Sequence, residues 1–147
     1  MSNGVRILWV DDEIDLLKPH ILFLKGKGYE VETANNAYDA IDMVGSHPYD
    51  LIILDEMMPG MTGLETLPKI KEIRSTTPVI MVTKSEEENI MDKAVGSKIA
   101  DYLIKPVNPN QVLLSIKKNV HSQQLVSEQS MADYRSQFGE IASALGQ

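Results

Sequence analysis

Cysteine is absent from the 147 residues. That excludes disulfide frameworks, thiolate nucleophiles and thiolate metal sites, and it fits a reducing cytoplasm. No apolar run approaches the roughly 18–20 residues that span a bilayer, and the first residues show no basic region, apolar stretch and cleavage site of a secretory signal. Membrane insertion is therefore not expected. Basic residues are in deficit, 14 against 21 acidic, for a net charge of −7. A surface of that sign repels nucleic acid, so no direct nucleic-acid contact is expected. His20, His47 and His121 have no spacing that suggests a metal cluster, and solvated or capping roles are expected of them. What is present is ordinary for a globular chain: 43% hydrophobic and 24% charged residues, enough for one domain with a little to spare.

Short runs rich in Val, Ile and Leu alternate with stretches of helical period. The spacing predicts strands at Val5–Val10, Tyr29–Thr33, Leu51–Leu54, Val79–Val82 and Tyr102–Ile104. The first, third and fourth are nearly continuous in apolar character, as strands buried on both faces should be. Between and after them, helices are predicted at Ile14–Lys25, Ala37–Val44, Gly63–Arg74, Glu86–Val95 and Pro109–Val120. Strict alternation implies parallel strands, right-handed crossovers and helices on both faces: a doubly wound α/β domain. Strand order cannot be read from periodicity, and the flavodoxin-like order 2-1-3-4-5 is adopted. The domain is expected to occupy residues 1–121. From 122 to 147, Ser, Gln and Glu give way to Tyr134, Phe138, Ile141 and Leu145 at helical intervals, a narrow stripe with no strand after it. This helical extension is expected either to meet a partner or to begin a following bundle in a longer protein.

In a parallel α/β sheet, functional groups gather at the carboxyl ends of the strands. Asp11, Asp12 and Glu13 follow the first strand, Asp55 the third, Thr83 ends the fourth, and Lys105 and Pro106 follow the fifth. With the first and third strands adjacent, these residues line one pocket. Several carboxylates in one cleft raise one another's pKa, and a hard divalent cation held by oxygen ligands, Mg²⁺, resolves the conflict. A metal, a carboxylate nucleophile, a hydroxyl and a fixed ammonium are the parts of phosphoryl transfer to an acyl phosphate.

The strings Trp9-Val10-Asp11-Asp12-Glu13, Leu51–Gly63 (Leu-Ile-Ile-Leu-Asp-Glu-Met-Met-Pro-Gly-Met-Thr-Gly), Pro78–Thr83 and Asp101–Pro106 together resemble the receiver domains of two-component response regulators. The resemblance covers residues 5–120 and implies a CheY-like fold. It implies Asp55 as phosphoacceptor, with Asp11, Asp12, Asp55 and the backbone carbonyl of Met57 around Mg²⁺. It also implies Thr83 and Lys105 at the phosphoryl oxygens, a cis bond before Pro106, and Tyr102 as an aromatic that turns inward when Thr83 moves. A sensor histidine kinase is the implied donor. The implied output is a switched surface made by the helix at Glu86–Val95, the fifth strand and the last helix, often a homodimer face. Such a domain modifies itself and is not an enzyme in the ordinary sense.

The strings Asp55–Met61, Val82–Glu88 and Ser97–Gln111 resemble most the receiver of PorX-type regulators of Bacteroidetes, where a helical bundle and a phosphatase-like (PglZ) domain follow. That resemblance implies an appended effector and links to type IX secretion or, through a sigma factor, to gene expression. Two residues depart from the usual pattern. Lys84 stands where a small residue is commoner, and a long cation there is expected to alter the lifetime of phospho-Asp55. Pro68 falls well inside the third helix, which it either kinks or delays.

Bland readings compete at each position. Asp11 or Asp12 could cap the first helix, Thr83 could be an ordinary strand end, Lys105 a surface lysine and Tyr102 a half-buried strand aromatic. Met58 and Met61 are expected to be loop packing. A haloacid-dehalogenase-type phosphatase would need a second Asp two positions after Asp55, where Met57 stands. A flavin or nucleotide module would need a Gly-, Ser- or Thr-rich loop after the first strand, where three acidic residues stand. A pseudo-receiver used only for interaction would not need all five functional positions.

Overall fold

Strands without polar alternation can be satisfied only between two covering layers. The computed structural model, which describes residues 3–84 and 99–121, has that arrangement. Five strands, β1 (Arg6–Val10), β2 (Glu30–Ala34), β3 (Leu51–Asp55), β4 (Val79–Thr83) and β5 (Asp101–Ile104), form one sheet in the order β2-β1-β3-β4-β5. Every neighbouring pair is parallel. Successive side chains point to opposite faces, so each strand feeds two cores. Ile7, Trp9, Leu51, Ile53, Ile80 and Val82 pack on one side. Leu8, Val10, Ile52, Leu54, Val79 and Met81 pack on the other. The predicted order and the doubly wound α/β class both hold.

Among the described residues, four α-helices cover the sheet: α1 (Lys18–Gly26), α2 (Ala37–Ser46), α3 (Gly63–Ile73) and α4 (Pro109–Ile116). Leu24 of α1 and Val112, Leu113 and Ile116 of α4 enter the first core. Ala37, Ala40 and Val44 of α2 and Leu67 and Ile70 of α3 enter the second. The predicted helix at Glu86–Val95 and the extension with Tyr134, Phe138, Ile141 and Leu145 lie outside the described residues, as does the side chain of His121. Among the described residues, no helix is long and apolar enough to cross a membrane.

Two helices depart from the sequence expectation, and a third decides between two alternatives left open for it. The single helix expected at Ile14–Lys25 is a 3₁₀ turn, Ile14–Leu17, followed by α1. Pro19 is the cause. Its missing amide would break an α-helix begun at Ile14 but costs nothing in the first turn of one begun at Lys18. A start delayed to Pro68 is likewise overturned, because α3 begins at Gly63. The Thr62 side chain accepts from the Glu65 amide while Glu65 reaches back to Thr62, a complete capping box that nucleates the helix ahead of the proline. Pro68 sits on the exposed face, its ring clear of the core. The last helix, expected to be α to Val120, becomes a π turn over Lys117–His121. Val112, Ile116 and Val120 are all buried, and the wider turn offsets the drift that a spacing of four accumulates in an α-helix. The Asn119 side chain donates to the Ser115 carbonyl at 2.8 Å.

Candidate functional site

Placing β1 beside β3 brings the two buried carboxylates together. Asp11 follows the last residue of β1 and Asp55 is the last residue of β3. They are 1% and 2% exposed, whereas Asp12 is exposed at the rim. One oxygen from each of Asp11, Asp12 and Asp55 lies within 4.8 Å of the others. Lys105, just beyond β5, reaches back across β4. Its Nζ donates to Asp11 Oδ2 at 2.9 Å and lies 3.1 Å from Asp55 Oδ1. The second contact is an ion pair without hydrogen-bond alignment, for Oδ1 is buried and makes no hydrogen bond. The Lys105–Pro106 peptide is cis.

Charge does not balance here. Three carboxylates face one ammonium, leaving about two negative charges in the cleft when all three are ionised. Burial first, and then Asp11, with a further push from Asp12, raise the Asp55 carboxyl to about 7 despite the opposing pull of Lys105. Burial alone would lower Lys105, but its hydrogen bond to Asp11 and the charges of Asp55 and Asp11 hold the ammonium above its ordinary value. An orphaned buried oxygen, an all-oxygen donor set and a deficit of two positive charges fit a hard divalent cation such as Mg²⁺.

Asp11 serves twice. Its Oδ1 accepts the Glu13 amide at 2.8 Å while Oδ2 holds Lys105. Neither Asp11 nor Asp12 caps a helix, since neither the 3₁₀ turn nor α1 has a side-chain cap. Thr83 ends β4, fully buried. A hydrogen bond joins it to the half-buried Tyr102 of β5, whose hydroxyl is raised by burial and by the charge of Glu56 and lowered by that bond. Lys84 is exposed and, with Trp9, Asp11 and Lys105, lines a cavity of about 490 Å³ beside the carboxylates. Met57 exposes its side chain, while Met58 is buried and Met61 packs against the second core, as loop packing requires.

His20 is a correction. It is neither solvated nor a cap: its Nε2 lies 2.7 Å from the Val107 carbonyl and its ring meets Trp9 edge-on. Beginning α1 at Lys18 turns it toward the loop after β5. His47 does stand at a helix end, as the C-cap of α2.

Sequence reasoning passed over two residues. Glu56 is 5% exposed and accepts the Leu64 amide at 2.7 Å. A Cβ on Gly63 would lie 2.5 Å from the Asp55 carbonyl oxygen, so only glycine lets α3 start against the strand that carries Asp55. A glutamate that follows Asp55 carries a signal only through its burial. The glycine was legible as the last residue of the Leu51–Gly63 string.

The arrangement has counterparts. The family model for the response regulator receiver domain matches residues 7–117. The transcriptional regulatory protein ResD of Bacillus subtilis is 36% identical over 116 residues, 79% of this chain and 48% of its own length. A CpxR homolog of Haemophilus influenzae is 37% identical over 114 residues, 76% of this chain and 48% of its own. The chain thus spans about half the length of the curated relatives it matches. Among solved structures, a CheY-like receiver domain protein from Methanospirillum hungatei matches with a TM-score of 0.78 at 32% identity, covering 82% of this chain and 96% of that one. The response regulator TrrA of Thermotoga maritima, solved in complex with Mg²⁺-BeF, matches at a TM-score of 0.69 and 32% identity, covering 78% and 97%.

Proposed function

The chain belongs to the response regulator receiver family, and we propose that it is a cytoplasmic switch thrown by phosphorylation of Asp55. Receiver domains of this family act with histidine kinases and effectors, and a sensor kinase phosphohistidine is the proposed donor here. One observation carries the reading: the Asp11–Asp12 pair, Asp55 and Lys105, from three distant stretches of the sequence, meet at one sheet edge beside the buried Thr83 hydroxyl.

In the proposed reaction an Asp55 carboxylate oxygen forms a bond to phosphorus. The bond from phosphorus to the donor breaks, and the donor leaves with its electron pair. No general base is needed once the Asp55 proton is displaced, as it would be on Mg²⁺ binding, because the attacking group is then a carboxylate. Asp11, Asp12, Asp55 and the Met57 carbonyl would hold Mg²⁺, which supplies positive charge to the phosphoryl oxygens. Lys105, already poised between Asp11 and Asp55, would pair with one of those oxygens. Thr83 would donate its hydroxyl to another, giving up its bond to Tyr102. The freed tyrosine then couples the site to β5 and its neighbours, a local charge change biasing a two-state element. The remodelled face would join a second copy or an effector through β5, α4 and the segment at Glu86–Val95.

The effector is proposed to lie in residues following this domain, with 122–147 as the start of a helical bundle. The strings shared with PorX-type regulators support a phosphatase-like effector and an output in type IX secretion or sigma-factor-dependent expression. The names of the curated relatives support a transcriptional output. Incubation with Mg²⁺ and a small acyl phosphate tests the switch itself. Intact mass should rise by one phosphoryl group, and Asp55→Ala should abolish the gain. No gain in the parent, or an equal gain in the variant, overturns the reading.

A further inference from the structure

Glu56 stands at the base of the loop that joins β3 to α3, and its amide, its carbonyl and one side-chain oxygen tie that base together. Its amide donates to the Val82 carbonyl of β4 at 2.8 Å, and its carbonyl accepts the Gly63 amide at 3.0 Å. Its side-chain Oε2 accepts the Leu64 amide at 2.7 Å. The first three residues of a helix have amides with no partner inside the helix. In α3 the first two go to Glu56, and the third, Glu65, goes to Thr62. Residues 57–62 are therefore a short loop whose two ends are clamped by one side chain and its own backbone. The loop begins at Met57, two residues after Asp55.

A buried carboxylate is an expensive way to cap a helix, because Ser, Thr or Asn does so at an exposed position without desolvating a charge. The cost is offset by two charge-assisted terms, the hydrogen bond to Leu64 and the positive end of the α3 dipole. Reach is the second consideration. The acceptor must extend from the strand end across to the second residue of the helix, and Glu has one methylene more than Asp.

We infer that Glu56 is a positioning residue for the cation site: by anchoring the Leu64 amide it holds the 57–62 loop, and with it the Met57 backbone, in register with Asp11, Asp12 and Asp55. The inference rests on the reading of those carboxylates as a Mg²⁺ site. Glu56 is not one of the grouped carboxylates. It acts through the loop, as partners of metal ligands do when their loss weakens metal binding by about 10–100-fold.

The test compares Glu56→Gln with Glu56→Asp in the full chain. Gln keeps an oxygen acceptor at the same reach without the charge, whereas Asp keeps the charge but falls short of Leu64. Mg²⁺ affinity is read from the fluorescence of Trp9, the single tryptophan, and exchange of the Leu64 amide is read by NMR without metal. The expected result is Mg²⁺ affinity within about threefold of the parent for Gln and about tenfold weaker for Asp, with faster Leu64 exchange in Asp alone. Asn36→Ala, which removes the α2 cap, should lower the melting temperature without moving Mg²⁺ affinity. If Asp binds Mg²⁺ as tightly as the parent, or Gln as weakly as Asp, the positioning role is overturned while the cation site stands. If the parent itself binds no Mg²⁺, both the inference and the reading beneath it fail.

Discussion

At the residue scale, Asp55 is the least comfortable group among the described residues, and two predictions follow from its burial. It titrates near 7 in the fold and near 3.8 as an isolated side chain, so the folded state holds the proton more tightly than the unfolded chain. The stabilising contribution is complete below about pH 4 and is lost as pH rises through about 7. Asp55→Asn should therefore stabilise the Mg²⁺-free protein at pH 8 by about 2–4 kcal/mol, at about 1.4 per pKa unit, and should leave stability at pH 4 nearly unchanged. Thermal melts at both pH values check this; equal shifts at both would contradict it. The same proton competes with the cation, so Mg²⁺ affinity should rise with pH through about 7, with proton uptake or release followed by calorimetry in buffers of different ionisation heat. Lys84 belongs to this scale too. If its cation at the rim of the cavity guards phospho-Asp55 from water, Lys84→Ala should change the dephosphorylation rate several-fold, and an unchanged decay of the radiolabel would remove it from the account.

At the scale of elements, the strands were legible because a strand buried on both faces must be apolar along its length, and Ile7–Val10, Leu51–Leu54 and Val79–Val82 are; their order came with the adopted fold and not from the pattern. The polar residues at their carboxyl ends then stand out as the ones packing cannot explain. Helix starts were less legible. Pro19 determines where α1 can begin, and Thr62 with Glu65 determines where α3 begins despite Pro68; both effects depend on which amides lack partners. The Thr83–Tyr102 bond and the anchoring by Glu56 were not legible at all, since they arise from contacts across elements. Gly63 joins these effects at one junction. Gly63→Ala forces a methyl group into the Asp55 carbonyl, so α3 must shift away from β3. A loss of about 2–3 kcal/mol in urea denaturation is expected, the range of an overpacked core, and with it weaker Mg²⁺ binding. A variant as stable as the parent would show that the junction relaxes freely.

At the scale of the molecule, a single sheet edge gathers every charged group the proposed chemistry uses, while the rest of the described interior is mainly apolar. Such a design localises the trigger and leaves the output to a surface. The Thr83–Tyr102 pair lies between the two, so Tyr102→Ala should leave modification of Asp55 intact while blunting any change of assembly. Light scattering on the phosphorylated or beryllofluoride-treated chain should show a gain in mass for the parent and a smaller one for the variant. A parent that stays monomeric would move the output from self-association to an appended effector.

The proposed switch requires one particular atom, an Asp55 carboxylate oxygen, to take the phosphoryl group. Reductive trapping with borohydride, which converts an aspartyl phosphate to homoserine, followed by peptide mapping, reads that atom directly. After treatment with Mg²⁺ and an acyl phosphate, homoserine should be found at position 55 and nowhere else, and it should be missing when Mg²⁺ is withheld. Homoserine at Asp11 or Asp12, or a label on a histidine or hydroxyl residue that survives reduction, would contradict it.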